Sequence, residues 1–153
     1  MSVQLSTIER VLFLKRAAIF QQISGRDLVA VAEVAKEVHF PSGATFIQQG
    51  DIGNCLYLIV SGEASVRVPG VGEVARSTTN DLIGEMSIIS RQPRSADCVA
   101  MLDMTVLQID YEDFWRLLAG KPNIALGIIR VLSGRLSVTM QNIQERRKDL
   151  IAP

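Results

Sequence analysis

The chain has 153 residues, 48% of them hydrophobic and 21% charged, so it suits one domain and can bury a core. Sixteen basic residues balance sixteen acidic ones and the isoelectric point is near 6.6, which argues against a nucleic-acid-binding surface. No apolar run approaches the roughly 20 residues of a membrane span, and the N-terminus lacks a signal-peptide pattern. We therefore expect a cytoplasmic protein that neither spans a membrane nor binds nucleic acid through this chain.

Residues 1–36 have the pattern of an N-terminal helical segment. Ser6-Thr7-Ile8-Glu9 reads as a capping box, and apolar residues follow it at helical spacing. A second helix is predicted to start at Ser24, with Leu28 and Val31 on its apolar face.

Residues 37–110 change to short β-prone runs, most of them separated by glycine, asparagine or aspartate. The predicted strands are Thr45–Ile47, Leu56–Val60, Ala64–Val68, Glu73–Arg76, Cys98–Ala100 and Thr105–Ile109. About eight strands of this kind favour a jelly-roll barrel. Cys55 and Cys98 lie in apolar runs without metal-like spacing and are predicted to be reduced core residues.

Residues 111–148 are predicted to form C-terminal helices. Asp110 is expected to cap the first one, and Gly120 to end it just before Pro122. The second should run to Lys148, almost 40 Å at ~1.5 Å per residue. Its predicted apolar stripe is Ile124, Ile128, Val131, Leu132, Leu136, Met140 and Ile143. The fold class is therefore α+β and mainly β.

The most specific motif lies in residues 82–97, which read L-I-G-E-M-S-I-I-S-R-Q-P-R-S-A-D. Arginine's planar fork binds a phosphate-like anion through two parallel hydrogen bonds, which suits Arg94. Gly84 has no side chain to block the approach of a ligand to the start of a helix, where backbone amides are unpaired. Glu85 would be repelled by an anion, so it suits a hydroxyl donor.

This motif resembles the phosphate-binding cassette of the cyclic nucleotide-binding domain family. The upstream runs P-S-G-A-T-F-I-Q-Q-G-D and L-Y-L-I-V-S-G also fit that family, and roughly residues 10–143 follow its order of elements. The resemblance implies a jelly-roll barrel between N-terminal helices and a long C-terminal helix that closes over the ligand as a lid. It implies a non-catalytic sensor that needs no cofactor or metal and takes cyclic AMP or cyclic GMP as its regulatory ligand.

By the same resemblance, Glu85 accepts a hydrogen bond from the ribose 2′-hydroxyl and Arg94 binds the cyclic phosphate. The base would contact Val74 of the barrel and three residues of the lid, Leu136, Thr139 and Met140. The full implied ligand-binding set is Val74, Ile83, Gly84, Glu85, Met86, Ser87, Arg94, Ser95, Ala96, Leu136, Thr139 and Met140. Cyclic AMP is favoured, since Met140 and the apolar lid give adenine no penalty, although a hydroxyl such as Ser95 favours guanine in some branches.

Two features of the cassette leave alternatives open. Glu85 and Arg94 taken alone could form an ordinary surface ion pair, worth roughly 0–1 kcal/mol. Asp97 stands where the family usually has threonine or serine. A carboxylate pointing into the site would repel phosphate or compete for Arg94, whereas one pointing to solvent would change little.

Two other functions compete with the sensor. The chain could be a degenerate domain that binds no nucleotide and acts as an interaction module, as a homodimer or with a fused effector through the last helix. It could instead be a metal-dependent jelly-roll enzyme, but such sites need several histidines and the chain has one, His39. The same lack of an imidazole base disfavours nucleophilic catalysis. The sequence therefore predicts no catalytic residue and no metal site.

Overall fold

The computed structural model describes residues 4–151, except for the side chain of Met86. Its elements are α1 (Thr7–Arg16), a 3-10 turn (Ala18–Phe20), α2 (Gly25–Val34), β1 (Lys36–Phe40), β2 (Thr45–Ile47), β3 (Cys55–Ser61), β4 (Ala64–Val68), β5 (Gly72–Ser77), β6 (Leu82–Ile83), α3 (Glu85–Ser90), β7 (Asp97–Ala100), β8 (Met104–Asp110), α4 (Tyr111–Gly120) and α5 (Pro122–Ile151). In the part of the chain that these elements cover, no helix is both long and apolar enough to cross a membrane.

The first two helices begin where their capping residues predict. The Ser6 hydroxyl accepts from the Glu9 amide and the Glu9 carboxylate accepts from the Ser6 amide, which confirms the capping box. At α2 the Ser24 hydroxyl accepts from the Asp27 amide. Side-chain caps of this kind satisfy amides that have no partner inside the helix.

The strands form two antiparallel sheets, with strand orders β1-β8-β3-β6 and β2-β7-β4-β5. Neighbouring strands are mostly distant in sequence, as a jelly roll requires. This arrangement, with helices before and after the sheets, confirms the α+β jelly-roll fold, although the helices hold more residues than the strands. β1 begins at Lys36 and α4 at Tyr111, next to the expected changes of pattern at residues 36 and 110.

Two apolar clusters hold the fold together. One joins the N-terminal helices, α4 and the start of α5 to the outer face of the sheet that contains β3 and β8, and it includes Ile88 of α3. The other fills the barrel and includes Cys55 and Cys98, which are buried and free of disulfides, as predicted. Because Ile88 is fully buried in the helical cluster, α3 is anchored between the barrel and the C-terminal helices.

The start of α4 differs from the prediction. Asp110 occupies the N-cap position, but its side chain makes no capping hydrogen bond. Its carboxylate instead accepts from Lys36 Nζ at 2.6 Å and from Gln108 Nε2 at 2.9 Å. A charged ammonium is a stronger partner than a backbone amide, so the ion pair to β1 replaces the cap.

The last helix also departs from its predicted packing. It continues to Ile151, and of its predicted apolar stripe only Ile124 and Ile128 are buried. Gly127 allows this part of the helix to lie close to the segment between the 3-10 turn and α2, since a Cβ there would lie 2.9 Å from Ile23 Cγ1. From Leu132 to Ile151 every residue is exposed. The second half of α5 therefore extends beyond the core of the domain.

Candidate functional site

A cavity of about 270 Å³ lies between α3 with its following loop and the inner face of the sheet that contains β4 and β7. Its lining residues are Ile47, Val66, Ser77, Leu82, Ile83, Gly84, Glu85, Ser87, Ser90, Gln92, Pro93, Arg94, Ser95, Ala96 and Cys98. One wall is polar and comes from the cassette, while the sheet wall is mostly apolar. A small ligand with a charged end and a flat apolar end matches this division.

Two glycines allow the polar wall to form. Gly84, at the N-cap of α3, has φ 87°, and a Cβ on it would collide with Nη1 of Arg94. A Cβ on Gly53 would lie 2.9 Å from Arg94 Cζ and 2.8 Å from Ser87 Cβ. The space that these missing side chains leave is filled by the arginine.

The backbone around Arg94 is fixed by hydrogen bonds to the loop before β3. The Arg94 amide donates to the Asp51 carbonyl at 2.8 Å, and the Gly50 amide donates to the Arg94 carbonyl at 2.9 Å. Within the cassette, Ser87 Oγ donates to the Gln92 carbonyl at 2.6 Å and joins α3 to its loop. The backbone of the loop that carries Arg94 is therefore held in place by hydrogen bonds before any ligand binds.

Arg94 is a buried cation without a carboxylate partner among residues 4–151. The residue is 7% exposed, and its Nη2 donates to the Cys55 carbonyl at 2.6 Å and its Nη1 to the Gly84 carbonyl at 3.2 Å. Burying a charge is costly unless it is paired, and carbonyl dipoles compensate only part of that cost. The guanidinium also retains further N–H donors. The cavity is therefore suited to an anion.

Glu85 lies at the same cavity without neutralising the arginine. It is half-buried, and the ion pairs of the described residues do not include a Glu85–Arg94 pair. The surface ion pair considered from the sequence is thus not formed in this structure. The carboxylate remains available to accept from a ligand hydroxyl.

Asp97 faces away from the cavity. Its Oδ1 accepts from the Gln49 amide at 2.7 Å, and the residue is paired with Arg67 across β4 and β7. The next pair along, Val66 and Cys98, lines the cavity. Since successive side chains of a strand point to opposite faces, Asp97 lies on the outer face of the sheet. The carboxylate therefore does not compete for the anion site here.

The structure brings together one part of the predicted ligand set. Ile83, Gly84, Glu85, Ser87, Arg94, Ser95 and Ala96 line the cavity. Met86 lies in the first turn of α3, and its side chain is outside the described part of the chain. The cassette is thus assembled from residues that are close in sequence, because a tight turn, a short helix and a loop bring them to one wall.

Four predicted residues do not line the cavity. Val74 is 52% exposed and is the extra residue of a bulge in β5, where Val66 pairs with Ala75 and Arg67 with Glu73. The other three, Leu136, Thr139 and Met140, lie on the exposed half of α5, and Thr139 Oγ1 donates to the Arg135 carbonyl of its own helix. Contact of these four residues with a base therefore stays a prediction. It requires α5 and β5 to take positions different from those in this structure.

Sequence reasoning missed the sheet wall of the cavity. This wall presents Ile47, Val66, Ser77 and Cys98, which come from four strands. Period-2 alternation places such residues on one face of their own strand, but only the pairing of the strands shows that the faces coincide. Burial raises the pKa of the Cys98 thiol to about 11, with Arg94 acting in the opposite direction, so the thiol is protonated at neutral pH.

The residues considered for metal binding are dispersed. Among residues 4–151, no three His, Cys, Asp or Glu side chains form a group that could hold a metal ion. His39, at an edge strand of the barrel, has Nδ1 2.9 Å from Thr105 Oγ1 and Nε2 3.3 Å from Glu37 Oε2.

Comparison with known proteins identifies the family. The family model described as the cyclic nucleotide-binding domain matches residues 37–121, which is more than half of the chain. The chain belongs to the cyclic nucleotide-binding domain family. The matched range contains the whole cassette and both sheets of the barrel except Lys36, so the family assignment and the cavity concern the same part of the molecule.

Relatives are named as regulators. A CRP-like cAMP-activated global transcriptional regulator of Mycobacterium tuberculosis is 29% identical over 136 residues, covering 86% of this chain and 61% of that protein. A cAMP-dependent protein kinase regulatory subunit of Aspergillus niger is 32% identical over 69% of this chain and 26% of its own length. The chain thus spans less than two thirds of these relatives.

Solved structures show the same fold. The N-terminal domain of a transcriptional regulator from Streptomyces coelicolor has a TM-score of 0.76 at 26% identity, covering 83% of this chain and 94% of that one. The regulatory domain of Toxoplasma gondii PKA, solved with cAMP, has a TM-score of 0.70 at 26% identity, covering 86% and 49%.

Proposed function

We propose that this chain is a non-catalytic cyclic nucleotide sensor, with cyclic AMP favoured over cyclic GMP. The observation that carries the proposal is the buried guanidinium of Arg94, which has no carboxylate partner among residues 4–151 and lies at one cavity with Glu85. These groups match an anionic phosphate and an adjacent ribose hydroxyl, and the apolar sheet wall matches a base.

In the proposed complex, Arg94 donates two hydrogen bonds to the cyclic phosphate and Glu85 accepts from the ribose 2′-hydroxyl. The amides of Met86, Ser87 and Ser95 add donors to the phosphate, and the first two have no partner within α3 by helix geometry. Glu85 keeps its distance from the phosphate because like charges repel. The preference for cyclic AMP is supported by the relatives that are named for cAMP.

The first experiment is a calorimetric titration of the purified chain with cyclic AMP and then with cyclic GMP, after any co-purified nucleotide has been removed. We expect one saturable site per chain and tighter binding of cyclic AMP. Absence of binding for both ligands at high micromolar concentration would contradict the sensor function and favour an interaction module.

Arg94→Ala tests the phosphate site directly. Loss of two charge-assisted hydrogen bonds, at ~1.5–3 kcal/mol each, should weaken binding at least a hundredfold. Arg116→Ala is the matched control, since that arginine side chain is 78% exposed on α4 and is expected to leave affinity unchanged. Unchanged affinity in the Arg94 variant would show that the anion lies elsewhere.

Signal transmission by α5 belongs to the same proposal. Only the beginning of α5 is anchored, by Ile124, Gly127 and Ile128, while its second half exposes Leu136 and Met140. Closure of this half over the cavity would bury those side chains and place Thr139 near the base, and ligand affinity must differ between the open and closed positions. Hydrogen exchange of residues 133–145 should slow when cyclic AMP is added.

The alternative, an interaction or dimerisation module, is also supported by α5. Ile129, Leu132, Leu136 and Ile143 are exposed at spacings of three, four and seven residues, which is the pattern of a helix that packs against another helix. Sedimentation with and without nucleotide separates the two readings. A dimer that forms without nucleotide, in a chain that binds none, would favour the module.

A further inference from the structure

Ser77 stands on the sheet wall of the cavity. It ends β5 and pairs with the fully buried Ala64 of β4, two positions from the pair of Ala75 with the cavity-lining Val66. Because alternate residues of a strand share a face, Ser77 lies on the same inner face as Val66. Its side chain is half-buried and lines the cavity.

The hydroxyl of Ser77 makes no hydrogen bond among the hydrogen bonds described for residues 4–151, unlike Ser87, whose hydroxyl is bonded to the Gln92 carbonyl. A hydroxyl on an otherwise apolar wall loses hydration when the cavity is filled unless the ligand supplies a partner. Apart from the weakly polar thiol of Cys98, the other polar side chains of the cavity belong to the cassette. Ser77 is therefore the polar group that the sheet offers to a ligand.

We propose that the Ser77 hydroxyl bonds the edge of the base and thereby contributes to selection of the nucleotide. The inference rests on the proposed function, which assigns the cassette to the phosphate and ribose and leaves the sheet wall to the base. A hydroxyl both donates and accepts, so it can serve a nitrogen or an amino group on the six-membered ring of a purine. A base that lacks such groups gains nothing from it.

The test compares two ligands in the 153-residue chain. One is cyclic AMP, and the other is benzimidazole riboside 3′,5′-cyclic phosphate, whose six-membered ring carries neither nitrogen nor amino group. Ser77→Ala should weaken cyclic AMP binding about 2- to 10-fold and leave binding of the benzimidazole ligand unchanged within twofold. Thr79→Ala is the matched control, because this exposed neighbour lies outside the cavity lining and should alter neither affinity.

The remaining outcomes overturn the inference in different ways. Equal weakening of both ligands by Ser77→Ala would show that the serine only supports the shape of the wall, and no change for either would show that it does not meet the base. In both cases the wild-type chain still binds and the proposed function stands. Failure of the wild-type chain to bind either ligand overturns the proposed function and this inference with it. Thermal unfolding of each variant checks that the fold is intact.

Discussion

At the scale of single residues, the site depends on a glycine, Gly53, whose lack of a side chain leaves room for Arg94 and Ser87. Gly53 lies outside the cassette, yet a Cβ there would overlap the positions of Arg94 and Ser87. Gly53→Ala should therefore displace the guanidinium, weaken cyclic AMP binding at least tenfold, and lower the free energy of unfolding by about 1–3 kcal/mol. Calorimetric titration and urea unfolding measure the two effects.

Gly134→Ala is the control for that variant. No atom lies within 4 Å of a Cβ at this exposed helical position, so alanine should stabilise the chain by up to about 1 kcal/mol through helix propensity. Wild-type affinity in the Gly53 variant would mean that the cassette relaxes around the new methyl group and that close approach is not needed.

Asp97 gives a second prediction at this scale, and here structure sharpens what sequence left open. Its carboxylate accepts from the Gln49 amide on the outer face of the sheet. Asp97→Thr should therefore leave cyclic AMP affinity unchanged within twofold while lowering the free energy of unfolding by about 1 kcal/mol, because a charge-assisted hydrogen bond is lost. A clear weakening of cyclic AMP binding, with the fold intact, would show that the Asp97 carboxylate contributes to ligand binding.

At the scale of elements, the junction of β8 with α4 is joined to β1 by a pH-dependent ion pair between Asp110 and Lys36. The hydrogen bond from Lys36 lowers the pKa of Asp110 from its ordinary 3.8, and the same bond raises the pKa of Lys36 from 10.5. A lowered carboxyl pKa stabilises the fold above the unfolded value and the effect is lost as pH falls through the folded value. For the lysine the sign is reversed, and its contribution is lost as pH rises above 10.5.

The pair should therefore stabilise the chain between about pH 4 and pH 10, and Asp110→Asn should remove that contribution. Urea unfolding of both proteins across this range measures it. The difference between wild type and variant should shrink below pH 4 as the carboxyl is protonated. A difference that grows as the pH falls would contradict the assignment.

The cassette helix is also tied to the C-terminal helices by a surface contact. Arg91 ends α3 in a left-handed conformation with φ 59°, and its guanidinium lies 4.0 Å from the ring centre of Tyr111, the first residue of α4. A double-mutant cycle with Arg91→Ala and Tyr111→Leu should give a coupling of about 0.5–1 kcal/mol in the free energy of unfolding. A coupling near zero would show that the stacking adds no stability in solution.

At the scale of the whole molecule, stability and signalling are expected to separate along α5. Leu136 and Met140 are 63% and 53% exposed, so replacing both with glutamine should change the free energy of unfolding by less than about 0.5 kcal/mol. The same variant should bind cyclic AMP more weakly if closure buries these side chains. Unchanged affinity, measured by titration, would mean that the distal half of α5 does not cover the ligand.

Much of the fold was determined by local sequence. Ser6 and Ser24 mark the first two helices, and glycines with alternating apolar residues mark the strands, because capping and pleat geometry act over a few residues. The polar wall of the cavity was predictable for the same reason, since residues 82–97 build it within one turn, one helix and one loop.

Tertiary structure decided the rest. The outward position of Asp97 and the inward position of Ser77 depend on the pairing of β4 with β7 and β5, and strands distant in sequence set that register. The cap of α4 was lost because Lys36 lies next to Asp110 only in the folded chain. The position of α5 relative to the cavity depends on how far the helix packs against the domain beyond Ile128. The spacing of the apolar residues in α5 does not decide this, because the spacing is the same whether those residues are buried or exposed.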